Sequence, residues 1–371
     1  MTAVADRATR TALKHKVIST DSHVDVPAGE LAERAPKEFR DKIARVRSSE
    51  DALDDPAVAK ARRLLERMKA KMNEEDLERT RAGGWDPAVR VLDQDREGVR
   101  GEVIFGPLFF DNSPDPEIDL GISRAFNDWA AEVFLQSPYR DRFAVSAALA
   151  VADIPAAVAE VERTAAMGYR CINLPAQQPD LPYNRPDYDP LWAAIQDSTM
   201  VANFHIGTGH VPQGERGPGG PTINYVLFAQ GDGPHVVSYL CASGVLERFP
   251  RLQWAVVESG GAWLAWVLES LDQIYRKHHM YHRDIDTLAL LPSEYFKRQG
   301  HVCFMDDAVA VHNRSFTGSH TLMFGTDYPH HEGTFPHTQE VIDRIFAGVP
   351  DDETAMIVGG NAAELYGFSL D

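Results

Sequence analysis

Short apolar runs, each bounded by turn residues, recur along the chain. They occupy residues 17–20, 102–106, 142–150, 169–176, 200–207, 252–259, 301–305 and 321–327. Most of these runs are apolar at successive positions and do not alternate with polar residues. That pattern is typical of strands in a parallel sheet that is covered by helices on its faces.

Segments with apolar residues at helical spacing lie between these runs. Examples are PEIDLGISRAFNDWAAEVFLQ (116–136), IPAAVAEVERTAAMG (154–168) and AWLAWVLESLDQIYRK (262–277). Eight alternating strand and helix units predict an α/β fold, a (β/α)8 TIM-like barrel. A doubly wound open sheet is the alternative, but no G-x-G-x-x-G sequence follows the first predicted strand.

Two segments exceed the needs of a minimal barrel. Residues 27–100 separate the first two predicted strands and carry charged helical patterns, so we expect a mostly helical insertion that acts as a lid or a subunit contact. Residues 207–225 are rich in Gly and Pro and predict an irregular loop at the barrel mouth. We expect one metal-dependent barrel domain over residues 1–371, with this insertion inside it.

Charge and composition narrow the classes of function. The chain of 371 residues has 37 Lys and Arg against 55 Asp and Glu, a formal net charge of −18, which disfavours a nucleic-acid partner. The three cysteines are widely spaced, and no apolar run is long enough to span a membrane. We expect a cytoplasmic homo-oligomer, a dimer, with a small-molecule substrate, no nucleic acid and no membrane contact.

Polar residues at the ends of the predicted strands are the candidate chemistry. Asp21 and His23 follow the first strand, His205 lies in the fifth, Glu258 ends the sixth, and Asp327 ends the eighth. In a barrel these strand ends meet at one face, where such folds place their active sites. Imidazole and carboxylate together suit divalent Zn, Mn or Fe. The pattern therefore predicts a site for one ion or two.

The residues after Asp327 extend this candidate site. His330 lies three positions on and could reach the same metal, a second metal or the substrate. Glu258 has an alternative interpretation, in which backbone N–H groups of the following GGAW turn satisfy its carboxylate. If Asp21, Glu258 and Asp327 are buried together, their pKa values should rise unless a cation neutralises them.

The sequence resembles a known family over nearly its whole length. The matching stretches are DSHV, RVLDQDREGVRGEVIF, FHIG, FPRLQWAVVESGGAWL, LMFGTDYPHHEG and GGNAAELYGF. They are similar to the amidohydrolase superfamily, in particular its amidohydrolase 2 branch, which includes aminocarboxymuconate semialdehyde decarboxylase and related aromatic-acid decarboxylases. The resemblance implies a distorted (β/α)8 barrel with a metal at its mouth.

The resemblance also assigns ligands residue by residue. Asp21-x-His23 stands where the family usually has His-x-His, His205 matches its fifth-strand His, and Asp327 matches its eighth-strand Asp. Glu258 stands where the family often has His. These two departures make the site more anionic, which favours harder metals such as Mn or Fe over Zn.

Hydrolysis by metal-activated water is the leading prediction, acting on a C–N or related bond of a small anionic substrate. Asp327 would be the general base, Glu258 a ligand or acid, and His330 a further catalytic group. His210 and Arg216, with arginines of the 27–100 insertion, are candidates for holding the substrate. The alternatives are a non-oxidative metal-dependent decarboxylase, a dinuclear iron or manganese oxygenase, and a non-catalytic binding protein.

Overall fold

The structure is a computed structural model. It describes residues 14–27, 29–35, 37, 40, 82–106, 116–177, 181–209, 217–278, 288–330 and 332–370. The candidate substrate residues His210 and Arg216 lie outside these residues, as does most of the 27–100 insertion. The predictions made for them stay predictions. Among the described helices, none is long and apolar enough to cross a membrane.

Eight parallel strands form one sheet within the described residues, in the order β1 to β8 along the chain. The strands are β1 Val17–Ser19, β2 Val99–Ile104, β3 Phe143–Ala148, β4 Cys171–Gln177, β5 Val201–Gly209, β6 Trp254–Val257, β7 Gly300–Phe304 and β8 Leu322–Phe324. Each of the eight predicted runs overlaps one of these strands, although β2, β4, β5 and β7 extend beyond their runs. The fold is a (β/α)8 barrel, as the sequence predicts.

The barrel closes between β1 and β8. The Thr20 N–H donates to the Phe324 carbonyl at 3.0 Å, and the Asp327 N–H donates to the Asp21 carbonyl at 2.8 Å. Ser19 Oγ accepts from the Thr326 N–H at 2.9 Å across the same seam. These bonds bring the segment after β1 against the segment after β8, so that candidate ligands from both ends of the chain meet.

Helices cover the outside of the sheet. They are α1 Glu30–Arg34, α2 Pro87–Glu97, α3 Pro116–Ala130, α4 Ile154–Ala166, α5 Asp189–Asp197, α6 Gly220–Asn224, α7 Asp232–Ala242, α8 Val245–Arg248, α9 Leu264–His278, α10 Pro292–Gln299, α11 Ala308–His312, α12 Arg314–Thr317, α13 Thr338–Ile345, α14 Asp351–Ala355 and α15 Asn361–Tyr366. Local chemistry sets their ends. The Asp86 carboxylate accepts from the first N–H groups of α2, and Gly98 ends that helix in the left-handed region at φ 77°.

Two apolar cores flank the sheet. The larger lies between the strands and the helices and includes Trp192, Phe204 and Trp254. The smaller fills the barrel interior, where Ile18, Val103 and Cys171 pack with other strand residues and with Tyr366 and Phe368 from the end of the chain. The interior is therefore packed and closed from one end, which leaves the opposite end of the barrel for a site.

Two expectations need correction. β8 ends at Phe324, so Asp327 lies in the loop beyond the strand and not inside it. Residues 207–225 are not irregular throughout, because β5 continues to Gly209 and α6 begins at Gly220. A Pro in the first turn of α6 is compatible with a helix, because backbone N–H groups in the first turn have no acceptor within the helix.

Candidate metal centre

Five predicted ligands converge at the carboxyl ends of the strands. His205 lies within β5, Glu258 follows β6 directly, Asp21 and His23 follow β1, and Asp327 follows β8. Each of the five side chains is at least nine-tenths buried. The sequence placed them together correctly, and the structure shows the distances between them.

His23 and His205 lie at the centre of the cluster. His23 Nε2 is 3.4 Å from Asp21 Oδ1, 3.3 Å from Asp327 Oδ1 and 3.8 Å from Glu258 Oε2. His205 Nε2 is 3.4 Å from Asp21 Oδ1 and 3.0 Å from Glu258 Oε2. Two ligands that bind one ion at roughly 2.1 Å lie about 3.0–3.4 Å apart, so most of these spacings match a metal site.

Several of these buried atoms have no hydrogen-bond partner among the described residues. They are Asp21 Oδ1 and Oδ2, His23 Nε2, His205 Nε2, Asp327 Oδ1 and Oδ2, and His330 Nδ1. A buried polar atom without a partner is costly, and natural proteins leave few of them. Because these atoms face one another from the ends of β1, β5 and β8, a divalent ion fits the residues present.

A backbone contact fixes the ring of His205. His205 Nδ1 is 2.8 Å from the carbonyl of the next residue, Ile206. That carbonyl can only accept, so Nδ1 carries a proton, and once the ring is neutral the lone pair of Nε2 faces the cluster. Metal-binding histidines are commonly oriented in this way. Phe105 packs against the same ring, with 4.8 Å between ring centroids.

Both Glu258 and Asp327 adopt left-handed backbone conformations, with φ of 64° and 54°. Such conformations cost energy in residues other than Gly and cluster at functional sites. Asp307 stabilises the turn after Glu258, because its Oδ2 accepts from the N–H groups of Gly261 and Ala262, each at 2.9 Å. Two of the four N–H groups of this GGAW turn are therefore directed at Asp307, while Tyr225 and His205 contact the Glu258 carboxylate.

The pKa values of the buried carboxylates differ from those expected of carboxylates clustered without a cation. Burial acts to raise the pKa of Asp21 and of Glu258, but His205 and His23 outweigh it, and both pKa values lie below their ordinary range. Burial acts to lower the pKa of His205, yet Asp21 and Glu258 raise it to about 9. With no ion bound, the two histidines and the carboxylates therefore favour one another's charged forms. Metal binding must displace their protons.

His330 extends the cluster towards solvent. Its Nδ1 lies 2.8 Å from Asp327 Oδ1, its side chain is 39% exposed, and its ring stacks on His23 with 4.0 Å between centroids. Two further groups have the spacing of metal ligands, one of His23, Asp327 and His330 and one of Glu258, Asp327 and Glu332. The donor set is therefore larger than one ion requires.

Sequence reasoning missed Tyr225 and Arg90. The Tyr225 hydroxyl donates to Glu258 Oε1 at 3.2 Å, and burial, then Glu258, raises the pKa of this phenol, so that it keeps its proton. Arg90 lies in the insertion that was expected to offer arginines to the substrate. Its guanidinium instead pairs with Glu102 at 2.5 Å and is fully buried.

A family model described as amidohydrolase matches residues 21–368. No curated protein matches the chain. The match begins at Asp21 and runs past Asp327, so it contains all five predicted ligands.

Solved structures share the fold at low sequence identity. 5-Carboxyvanillate decarboxylase from Sphingomonas paucimobilis is 21% identical, with 95% of this chain and 99% of that chain covered and a TM-score of 0.68. An amidohydrolase from Mycobacterium avium subsp. paratuberculosis is 17% identical, with 97% and 100% covered and a TM-score of 0.73. A dihydroxybenzoic acid decarboxylase from Polaromonas sp. JS666, with bound manganese and 2-nitroresorcinol, is 17% identical, with 95% and 97% covered and a TM-score of 0.65.

Proposed function

The chain belongs to the amidohydrolase family, and from that premise we propose that it is a metal-dependent decarboxylase of a small carboxylic acid with an oxygen substituent beside its carboxylate. The observation that carries the proposal is the set of buried, unpartnered ligand atoms at the strand ends. Structural neighbours that are decarboxylases of aromatic acids, some with manganese, support this reaction over hydrolysis.

The metal is proposed to be Mn(II) or Fe(II), held by Asp21, His23, His205 and Asp327 with Glu258. A site with several carboxylate ligands suits these harder ions better than a site rich in thiolates would. When bound, such an ion neutralises the buried carboxylates and acts as a Lewis acid towards substrate oxygen atoms. No thiol competes, because the three cysteines are buried and two of them lie in β4 and β7 strands of the barrel core.

The remaining chemistry belongs to the side chains. In decarboxylation the bond from carbon to the carboxylate breaks, carbon dioxide leaves, and the electron pair stays on the carbon, which takes up one proton. Asp327 lies in the cluster and is 2.8 Å from His330, which is partly exposed. We assign the proton delivery to Asp327, with His330 returning a proton to it from solvent. Tyr225 holds Glu258 in place through its hydroxyl.

A second candidate is a dinuclear iron or manganese oxygenase. Asp21, Glu258 and Asp327 carry three negative charges, so one divalent ion with neutral histidines leaves the site with one net negative charge. A second ion, held by Asp327 with the neutral His330, would leave the site with one net positive charge and attract an anionic substrate. This chemistry consumes dioxygen, and the electrons come from the substrate or from an added reductant such as ascorbate.

One experiment separates these reactions. Protein loaded with Mn(II) or Fe(II) is offered 2-hydroxybenzoates, aryl amides and lactones, while release of carbon dioxide, appearance of hydrolysis products and uptake of dioxygen are recorded in parallel. We expect carbon dioxide release from a 2-hydroxybenzoate, lost on chelation and in Asp327→Asn. Turnover of amides or lactones without carbon dioxide would support the original prediction of hydrolysis and overturn decarboxylation. Dioxygen uptake that requires two ions per chain would support the oxygenase.

A further inference from the structure

The guanidinium of Arg90 contacts the backbone of two chain segments that carry candidate ligands. Arg90 belongs to α2, and its side chain is fully buried. Nη1 donates to the carbonyl of His23 at 2.8 Å, and Nη2 donates to the carbonyl of Tyr328 at 3.4 Å. The first carbonyl belongs to a ligand residue, and the second belongs to the residue that follows Asp327.

These bonds join two chain segments that carry ligands. His23 follows β1 and Asp327 follows β8, and the His23 N–H also donates to the Tyr328 carbonyl at 2.7 Å. One guanidinium therefore spans both segments, while His23 Nε2 and Asp327 Oδ1 lie 3.3 Å apart on their other side. Arg90 does not touch the cluster atoms themselves, so its influence passes through the backbone.

The Arg90 guanidinium also contacts the side chain of Tyr328. The Arg90 guanidinium lies over the Tyr328 ring, 4.8 Å from its centroid, and the Tyr328 hydroxyl donates to Asp93 Oδ2 at 2.8 Å. Gly83 leaves room for that hydroxyl, because a Cβ at this position would lie 2.0 Å from it. The residue after Asp327 is thus held from three directions, which fixes the backbone that carries the Asp327 carboxylate.

Glu102 balances the charge of Arg90. Its Oε2 lies 2.5 Å from Arg90 Nε, and both side chains are buried. The pair is neutral as a unit, so Arg90 is not an anchor for an anionic substrate. A planar guanidinium can bind one carboxylate and three carbonyls at fixed angles, including that of Gly83 at 3.1 Å, whereas a lysine ammonium cannot.

We propose that Arg90 is a positioning residue of the metal centre, which sets the spacing between His23 and Asp327 through their backbones. This inference rests on the metal site of the proposed function. A residue that orients ligands in this way changes metal affinity typically by 10–100-fold when it is lost. A residue that serves only the fold would change stability without changing the affinity of the folded protein for metal.

The chain offers a matched control in Arg170. It donates to two backbone carbonyls, those of Phe143 and Gly367, at 2.7 and 2.8 Å. It also stacks on an aromatic ring, with 4.5 Å from the guanidinium carbon to the Phe368 centroid. Its partners lie at the start of β3 and at the end of the chain, away from the ligand cluster. Arg170→Met therefore removes a similar set of contacts without touching the site.

The test measures the dissociation constant for Mn(II), by electron paramagnetic resonance of free ion, in full-length wild type, Arg90→Lys, Arg90→Met and Arg170→Met. Thermal midpoints of the metal-free proteins report on folding. We expect the Arg90 variants to bind Mn(II) roughly 10–100-fold more weakly and Arg170→Met to bind within about twofold of wild type, although it is less stable. If Arg90→Met does not fold, Arg90→Lys, which keeps a cation beside Glu102, decides the question.

Three outcomes would contradict the inference in different ways. Wild type that binds Mn(II), together with folded Arg90 variants of unchanged affinity, would overturn the role of Arg90 and leave the proposed function standing. Wild type that takes up neither Mn(II) nor Fe(II) would overturn the proposed metal centre and this inference with it. Equal weakening in Arg90→Lys and Arg170→Met would show a general effect of stability and would also overturn it.

Discussion

Replacing Glu258 with Gln removes one buried carboxylate from the cluster while keeping its shape. Glu258 Oε2 lies 3.0 Å from His205 Nε2 and 3.8 Å from His23 Nε2, and its other oxygen accepts from Tyr225. An amide oxygen can occupy the same place but carries no charge for a divalent ion. We therefore expect Glu258→Gln to fold and to bind metal at least 100-fold more weakly, the upper end of the range for residues that only support ligands.

The expected shift in the thermal midpoint follows from that affinity. A metal at 100 times its dissociation constant stabilises the wild type by about 2.7 kcal/mol, and a 100-fold weaker site gains about 0.4 kcal/mol at the same concentration. With an unfolding entropy of about 2.1 cal/mol/K per residue, 371 residues give about 0.8 kcal/mol/K. The metal should therefore raise the wild-type midpoint by about 3.5 °C and that of Glu258→Gln by about 0.5 °C.

Scanning calorimetry of chelator-treated protein, with and without Mn(II), measures both shifts. Glu340→Gln is the control, because Glu340 is exposed in α13 and its only described ion pair is with His337, outside the cluster. Its metal-dependent shift should equal that of wild type. A shift in Glu258→Gln as large as in wild type would refute the assignment of Glu258 to the metal centre.

Two further predictions concern residues that support the barrel. Asp307→Ala should lower the free energy of unfolding by about 3 kcal/mol in urea titrations, because three N–H groups lose their acceptor. The variant should also bind Mn(II) more weakly than wild type. Unchanged binding would show that the turn does not position Glu258. Burial acts to raise the pKa of Glu160, but Arg163 and Asn127 outweigh this effect, and the pKa is lowered. The ionised carboxylate therefore stabilises the fold at pH values above its pKa in the unfolded chain. This contribution is lost as the pH falls through the lowered pKa of the folded state. Glu160→Gln should therefore be about 2 kcal/mol less stable than wild type at pH 7 and the difference should shrink below about pH 4, whereas a constant difference would contradict this assignment.

Much of the fold and the clustering of the candidate ligands could be predicted from the sequence because both follow from local patterns. Buried parallel strands are apolar at successive positions, and a polar residue at the end of such a run, such as His205 or Glu258, is unusual enough to notice. The position of Asp327 was less well predicted. The apolar run suggests a strand up to this residue, but the chain leaves the sheet at Phe324, and the pairing of its last residues depends on β1.

The supporting residues could not be predicted in this way. Arg90 lies in a helix whose buried positions include Asp93, Gln94 and Glu97, so the hydrophobic pattern of α2 does not reveal which face is covered. The contacts of Arg90 reach Tyr328, 238 positions along the chain, and no local spacing contains that information. Tyr225 likewise contacts Glu258 across 33 positions of the chain, a separation that no local spacing in the sequence reveals.

X-ray diffraction at the manganese absorption edge tests the central claim most directly. Crystals of protein treated with chelator and then equilibrated with Mn(II) at neutral pH would be compared with crystals that were not reloaded. We predict an anomalous density peak among the side chains of Asp21, His23, His205 and Asp327, present only after reloading. Reloaded crystals with no peak there, in which these side chains contact one another or water, would contradict the metal centre on which the proposed function depends.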